Sequence, residues 1–349
     1  MFFHVKQWGF VLVLSLVIVG VSALVVGGAS HVGAGAEALE VERRPPPPTG
    51  GRDRFAPPVV DITRTPSGTF TGVLDSLLLA PLRTEDVSEV KFNHGGSSIS
   101  LRVTFTDGSR AAFKPLQTNP QTVPRKEIAA YRINRMLGLN NVPPAAARTL
   151  HRDQLVGRLV PEAKTFLPRI TTETVFDEEG FTRGAVSYWI PSIVNSKLDA
   201  QPAVEQWSRW LSVGQEIPAG KVGLMAQLSS LLLFDLLTNN SDRFSGGNLL
   251  TSPDGQRLYF MDNTFGFQNE PEGHIKCRES LHRAQKFSRR LIEAVRRIDR
   301  HSLRAALESD PGVLSSDELD GVLARREVAL RYVDGLVKRH GAARVLAFP

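Results

Sequence analysis

The stretch Asn240-Ser-Asp-Arg-Phe-Ser-Gly-Gly-Asn-Leu-Leu-Thr-Ser-Pro-Asp-Gly-Gln-Arg-Leu-Tyr-Phe-Met-Asp-Asn-Thr-Phe-Gly266 decides how this chain is read. Asn248-Leu249-Leu250 and Arg257 to Met261 are apolar-rich runs joined by Ser252-Pro253-Asp254-Gly255, and a Pro-Asp-Gly core favours a tight turn with antiparallel pairing. Such a hairpin returns Asp262 beside Asp242 and Asn248, so two carboxylates and a carboxamide meet at its open end.

Those residue types suit phosphoryl transfer, in which one Asp orients the acceptor hydroxyl while an Asn and a second Asp supply hard oxygen ligands to the divalent metal on a triphosphate. Asp242 fits the first role, Asn248 and Asp262 the second. A surface hairpin whose Asp and Asn only cap turns would carry the same letters, so the order of features upstream matters. Ile99 to Phe105 alternates apolar and polar residues, Thr106-Asp-Gly-Ser109 supplies a turn, and Arg110 to Lys114 reads as the returning strand, ended by Pro115. Lys126 to Gly138 carries Ala129, Ile133, Met136 and Leu137 at the spacing of a one-sided helix, with Glu127 in its first turn. A strand Lys on the phosphates, held by a helix Glu, is the ion pair that places the triphosphate in kinase-like folds. Ahead of this hairpin, Asn93-His-Gly-Gly-Ser-Ser98 offers Gly95, Gly96 and Ser97 as a loop over the phosphates, since glycines permit close backbone approach. A two-glycine turn with no ligand is the plainer alternative for that loop. His151-Arg152-Asp153 spells a kinase catalytic motif, yet Arg158 stands where a metal-binding Asn is required and no Asp-Phe-Gly follows. It reads as an incidental loop.

Phe113-Lys-Pro-Leu, Glu127-Ile-Ala-Ala-Tyr, Val142-Pro-Pro144, Leu233 to Arg243 and Phe260-Met-Asp-Asn263 together resemble the secretory-pathway kinases of the Golgi, and within them the Four-jointed box kinases. Relatives in that group include the Golgi casein kinase and the proteoglycan xylose kinase. Gly184 to Pro191 resembles the segment that precedes the catalytic loop in those proteins, so the likeness spans roughly residues 90 to 270. The resemblance implies an α+β, atypical two-lobed protein-kinase-like fold with ATP as donor and Mn²⁺ or Mg²⁺ as cofactor. It implies Lys114 and Glu127 as the ion pair, Asp242 as the catalytic Asp, Asp262 and Asn248 as metal ligands, and nucleotide contacts extending to Trp189 and Ile190. Arg243 is expected to brace the loop. The acceptor implied is a Ser or Thr hydroxyl of secreted or cell-surface proteins, cadherin-like or acidic; a glycan kinase, a pseudokinase and a scaffold stay open as alternatives. Two departures stand out. One more residue separates Asp242 from Asn248 than in Four-jointed proteins, an insertion that Gly246-Gly247 could absorb as a bulge. The chain also has a single cysteine, Cys277, where lumenal kinases of this group usually carry disulfides, and that thiol reads as inert.

Trp8 to Gly28 is an uncharged run rich in Val and Leu, long enough for a bilayer core of roughly 30 Å. Residues 1–30 therefore read as a cytoplasmic stub and transmembrane signal anchor, with a cleaved signal peptide as the alternative, and residues 31–58 as a Pro-rich linker. Lys6 precedes the span and Glu37, Glu40 and Glu42 follow it, which favours a type II orientation. The catalytic domain would then lie in the Golgi lumen or outside the cell, or in the cell envelope of a bacterium. Residues 59–349 are long enough for one two-lobed domain, the small lobe to about 185 and the large lobe beyond it.

Gln201 to Asp235 reads as helical, its second part so apolar that it belongs in the core of the larger lobe. Lys276 to Arg304 holds ten Lys or Arg against three acidic residues on an amphipathic helical pattern and supplies much of the net charge of +6. A solvated face is the plain reading, and a surface for acidic substrate segments or for the membrane surface the sharper one. No nucleic acid partner is expected, because no aromatic stacking pattern accompanies the charge. His274, His282 and His301 lack the spacing of a metal site.

Overall fold

The computed structural model describes residues 68–245 and 247–349, so the expected membrane anchor and Pro-rich linker lie outside the described residues. The chain enters through a short hairpin, β1 (Thr69–Phe70) and β2 (Val73–Leu74), and continues into helix α1 (Asp75–Thr84). An antiparallel sheet follows, built from β3 (Val87–Phe92), β4 (Leu101–Phe105) and β5 (Arg110–Pro115). Helix α2 (Arg125–Met136) then leads to β6 (Ala145–His151), the short helix α3 (Arg152–Val156), a 3₁₀ turn over Pro161–Phe166, helix α4 (Leu167–Glu173) and β7 (Phe181–Tyr188). The five strands pair in the order β3-β4-β5-β7-β6. Alternation along β4 and β5 buries Leu101, Val103, Phe105, Ala111 and Phe113 on one face, which sends Lys114 to the other.

The larger lobe begins with β8 (Val194–Asn195) and helix α5 (Gln201–Trp210). After a 3₁₀ turn at Ala219–Lys221 comes α6 (Val222–Thr238), then the hairpin β9 (Leu249–Thr251) and β10 (Leu258–Phe260). This hairpin is antiparallel, as expected from its Pro-Asp-Gly turn, with Leu258 opposite Thr251 and Phe260 opposite Leu249, and β8 adds a third strand. Thirteen of the seventeen residues of α6 are buried, so a helix apolar enough to cross a membrane is here the central core helix. Five helices complete the lobe: α7 (Ile275–His282), α8 (Arg289–Arg296), α9 (Arg300–Leu307), α10 (Ser316–His340) and α11 (Ala342–Val345).

Two expectations need correction. The amphipathic pattern from Lys276 to Arg304 is divided among α7, α8 and α9, because Ser288 and Asp299 cap new helices by accepting from the backbone N–H of Leu291 and Ser302. Helix α2 is not one-sided either. Lys126, Glu127, Arg132 and Asn134 are buried along with its apolar residues, since the helix runs between the sheet and the C-terminal helices. Its charges are matched by partners on every side. Arg125 makes a two-pronged pair with Glu318 on α10 (2.7 and 3.1 Å), Arg132 binds Asp310 (2.6 and 2.9 Å), and Arg135 binds the buried Asp75 (2.6 Å).

Behind the junction of the lobes, Phe70 is fully buried among Tyr188 from β7, Tyr259 from β10 and Ile190, with ring centroids 6.0 and 5.9 Å from the two tyrosines. The guanidinium groups of Arg135 and Arg257 lie 5.9 and 5.1 Å from its ring centre. One side chain of the entry hairpin thus packs on both lobes. Replacing Phe70 by Ala should cost about 3–5 kcal/mol in denaturant unfolding, against less than about 0.5 kcal/mol for the exposed Val73→Ala on the same hairpin.

Candidate active site

Lys114 reaches the site from the end of β5, and the neighbouring strand is shaped around it. A Cβ on Gly184 of β7 would collide with the Lys114 carbonyl oxygen and the Phe113 ring, so only glycine lets β7 approach there. The Lys114 ammonium lies 2.9 Å from Glu127 Oε1 of α2 and 2.7 Å from Asp262 Oδ1 of the larger lobe. Burial, the largest single influence, pulls the Lys114 pKa down, but the two carboxylates outweigh it and hold the ammonium above its ordinary value. The same ammonium holds the Asp262 carboxyl below its usual value against the opposing effect of burial.

Asp262 sits in a left-handed conformation (φ 56°) just past β10, an arrangement that a non-glycine residue keeps only where its surroundings enforce it. They do so here. Its Oδ1 also accepts from Thr264 Oγ1 at 3.1 Å, and its carbonyl oxygen accepts from Asn240 Nδ2 at 3.0 Å. All the carboxylate bonds among the described residues fall on Oδ1, and the side chain is 43% exposed. Oδ2 is therefore free to meet a cation from the open side.

The loop carrying Asp242 starts where α6 ends on Asn239, itself left-handed (φ 53°). Arg243 is fully buried and braces the loop as expected. It pairs with Asp235 of α6 at 3.0 Å, donates to the Met261 carbonyl, and donates to Asn263 Oδ1 at 2.8 Å. Burial pushes the Asp235 carboxyl up, and the Arg243 charge opposes that shift. The Asp242 carboxylate is reached by two side chains: Ser245 Oγ donates to it, and Asn248 Nδ2 donates to its Oδ2 at 3.2 Å as well as to the Asp242 carbonyl oxygen at 3.1 Å. Across the extra residue, then, Asn248 still closes onto Asp242, with Gly247 at φ 93° inside the loop. Its amide nitrogen is spent on Asp242 and its carbonyl oxygen remains.

Gly95 and Gly96 both adopt positive φ (106° and 82°) in the exposed loop between β3 and β4. The loop is anchored from outside the sheet: Arg169 of α4 donates to the Ser97 carbonyl at 2.7 Å, and Phe166 stacks on Phe92 at 4.2 Å. The Trp189 and Ile190 side chains are engaged elsewhere, Trp189 beneath the Arg102 guanidinium at 5.3 Å and Ile190 in the Phe70 cluster. His151-Arg152-Asp153 ends β6 and opens α3, where the His151 ring accepts from the Asp153 N–H as a helix cap.

Mn²⁺ and Mg²⁺ take oxygen ligands and are commonly held by one or two carboxylates plus substrate phosphates. Asp262 Oδ2 and the Asn248 carbonyl oxygen are donors of that kind. Among the described residues no cluster of three or more His, Cys, Asp or Glu side chains suits a metal held by protein alone. Several contributors escaped the sequence reading: Asp235, Asn240, Asn263, Thr264 and Arg169. Asp235 carried a usable signal, being the one charged residue in Val222–Thr238. For the others nothing in the letters separates them from neighbouring residues without a role at the site.

Cys277 is buried, and burial raises its thiol to about 12. In the native protein a thiol reagent at mildly alkaline pH should leave it unmodified, and unfolding in denaturant should release the full reaction. Rapid modification of the native protein would contradict this burial.

No family model matches the chain. The extracellular serine/threonine protein kinase FAM20C of Homo sapiens is 32% identical over 87 residues, a match covering 21% of this chain and 15% of that relative. Among solved structures, the Golgi casein kinase with Mn/ADP bound superposes with a TM-score of 0.62 at 16% identity over 78% of each chain. Hydra Fam20 with sugar gives a TM-score of 0.59 at 14% identity, over 82% of this chain and 97% of that one. The chain therefore has the α+β, kinase-like fold of the Golgi casein kinase and hydra Fam20 structures.

Proposed function

We propose that this protein is an ATP-dependent phosphotransferase of the secretory-pathway type, acting on Ser or Thr hydroxyls of secreted or cell-surface proteins. The observation that carries the reading is the buried Lys114 ammonium, held at once by Glu127 from the helix of the small lobe and by Asp262 from the larger lobe. That pairing assembles a phosphate-binding cation beside a metal-binding carboxylate, which a hairpin with merely turn-capping residues would have no reason to build. The short match to FAM20C and the fold shared with a kinase that was solved with Mn/ADP support the choice of ATP and of Mn²⁺ or Mg²⁺.

In this reading Lys114 neutralises charge on the phosphates, and Glu127 keeps it in place. The backbone of Gly95, Gly96 and Ser97 covers the phosphates from above. Asp262 and Asn248 would hold the metal, whose charge offsets that of the phosphates when it is bound. Asp242, steadied by Ser245 and Asn248, orients the acceptor hydroxyl and takes its proton. Nucleotide contacts at Trp189 and Ile190 would use their backbone, since their side chains are occupied. A glycan hydroxyl is the second acceptor, favoured by the fold shared with a Fam20 solved with sugar. The N-terminal run at Trp8 to Gly28 would anchor the protein as a type II membrane protein with this domain in the Golgi lumen or outside the cell.

Transfer from labelled ATP with Mn²⁺ or Mg²⁺, offered to acidic and cadherin-like proteins and to xylose-containing glycans, tests the reading. Asp242→Asn should lower kcat by about 10²–10⁴-fold, the range of a lost general base, with nucleotide binding retained. Asp262→Ala should abolish metal-dependent transfer. Metal-dependent binding without transfer would make the protein a pseudokinase, and no nucleotide binding would leave a scaffold.

A further inference from the structure

We propose that Asn263 is a positioning residue of the phosphotransfer site, one that fixes the Glu127 carboxylate and ties it to the loop carrying Asp242; the inference rests on the phosphotransferase reading. Asn263 is fully buried, and its carboxamide uses its whole hydrogen-bonding capacity. Nδ2 donates to Glu127 Oε2 at 3.2 Å and to the Phe260 carbonyl at 3.0 Å. Oδ1 accepts from Arg243 Nη2 at 2.8 Å and from Asn240 Nδ2 at 3.4 Å. The charges of its neighbours settle which end is which: a carboxylate faces the nitrogen and a guanidinium faces the oxygen.

Three of the four branches of this node lead to residues that hold the proposed reacting groups; the fourth ends on the Phe260 carbonyl of β10. Glu127 gives one oxygen to Lys114 and the other to Asn263, so its carboxylate plane is held at both ends. Without Asn263 the second oxygen is unheld and Lys114 loses a fixed partner. Arg243 precedes the Ser245 and Asn248 contacts to Asp242, and Asn240 accepts from the Asp242 N–H at 3.3 Å while donating to the Asp262 carbonyl. In conventional protein kinases the residue after the metal-binding Asp is an apolar Phe whose packing sets the active state. Here a carboxamide takes that place and joins the two lobes by hydrogen bonds. No other uncharged side chain of this length supplies two donors and two acceptors, since Asp lacks the donors and Gln is one carbon longer.

The test compares the full chain with Asn263→Ala and Asn263→Asp, measuring kcat, KM for Mn–ATP, nucleotide affinity and Tm. Ser229→Ala is the control, removing a buried hydrogen bond to the Lys286 carbonyl far along α6. Both Asn263 variants should raise the KM for Mn–ATP by about ten- to a hundredfold, the size of a lost hydrogen bond to a charged group. The aspartate substitution should be the worse for KM, because it sets a second carboxylate against Glu127, yet the milder for Tm, because it keeps the acceptor for Arg243. Ser229→Ala should lower Tm and leave KM unchanged. KM values within twofold of the parent, KM losses that simply follow Tm, or failure of both variants to fold would each overturn the positioning role. Absence of transfer and of Mn–ATP binding in the parent would instead overturn the phosphotransferase reading, so the two failures are told apart by the parent alone.

Discussion

A lysine ammonium held between carboxylates from two lobes is the constraint around which this molecule is organised. Taking Lys114 out of water is costly unless it is paired, and the chain pairs it twice, with Glu127 and Asp262. Each partner then needs its own support. Glu127 requires helix α2 to lie hard against the sheet, Asp262 requires a left-handed backbone just past β10, and β5 requires Gly184 opposite it. The buried pairs of α2, the Arg243 brace and the Asn240 and Asn263 carboxamides all serve those three demands. Polar groups buried in this number hold a fold to one arrangement only when each is satisfied, and around the site nearly all are.

Much of this is legible in the amino-acid sequence. The β9–β10 hairpin follows from a Pro-Asp-Gly turn between apolar runs, the β4–β5 hairpin from strict alternation around Asp107-Gly108, and α2 from its spacing and its terminal Gly138. These signals are local, and local chemistry determined them. What the letters left out is what depends on tertiary surroundings. Helix α2 reads as half solvated because Lys126, Arg132 and Asn134 are polar, whereas Glu318 and Asp310, distant in sequence, and the loop just after the helix make burial of those residues tolerable. The single long basic helix expected from Lys276 to Arg304 became three, since the caps at Ser288 and Asp299 outweigh a continuous hydrophobic stripe.

The site divides the same way. Lys114, Glu127, Asp242, Asn248 and Asp262 could be picked out because each sits at a fixed offset from a turn or a helix start. Asn240, Asn263, Thr264 and Arg169 had no such marker, as their importance comes from what they touch. Trp189 and Ile190 show the converse: a segment can be identified by likeness while the directions of its side chains stay undetermined until neighbours such as Arg102 and Phe70 are in place.

The pairs Arg125–Glu318 and Arg132–Asp310 bolt helix α2 to the C-terminal helices, although its sequence neighbours belong to the sheet. The same helix is held to the sheet side by the buried Arg135–Asp75 pair and by Glu127 on Lys114, so it is fastened in both directions. Any separation of the sheet from the C-terminal helices must therefore break one set of buried ion pairs or the other, and the helix with Glu127 acts as a clamp between them.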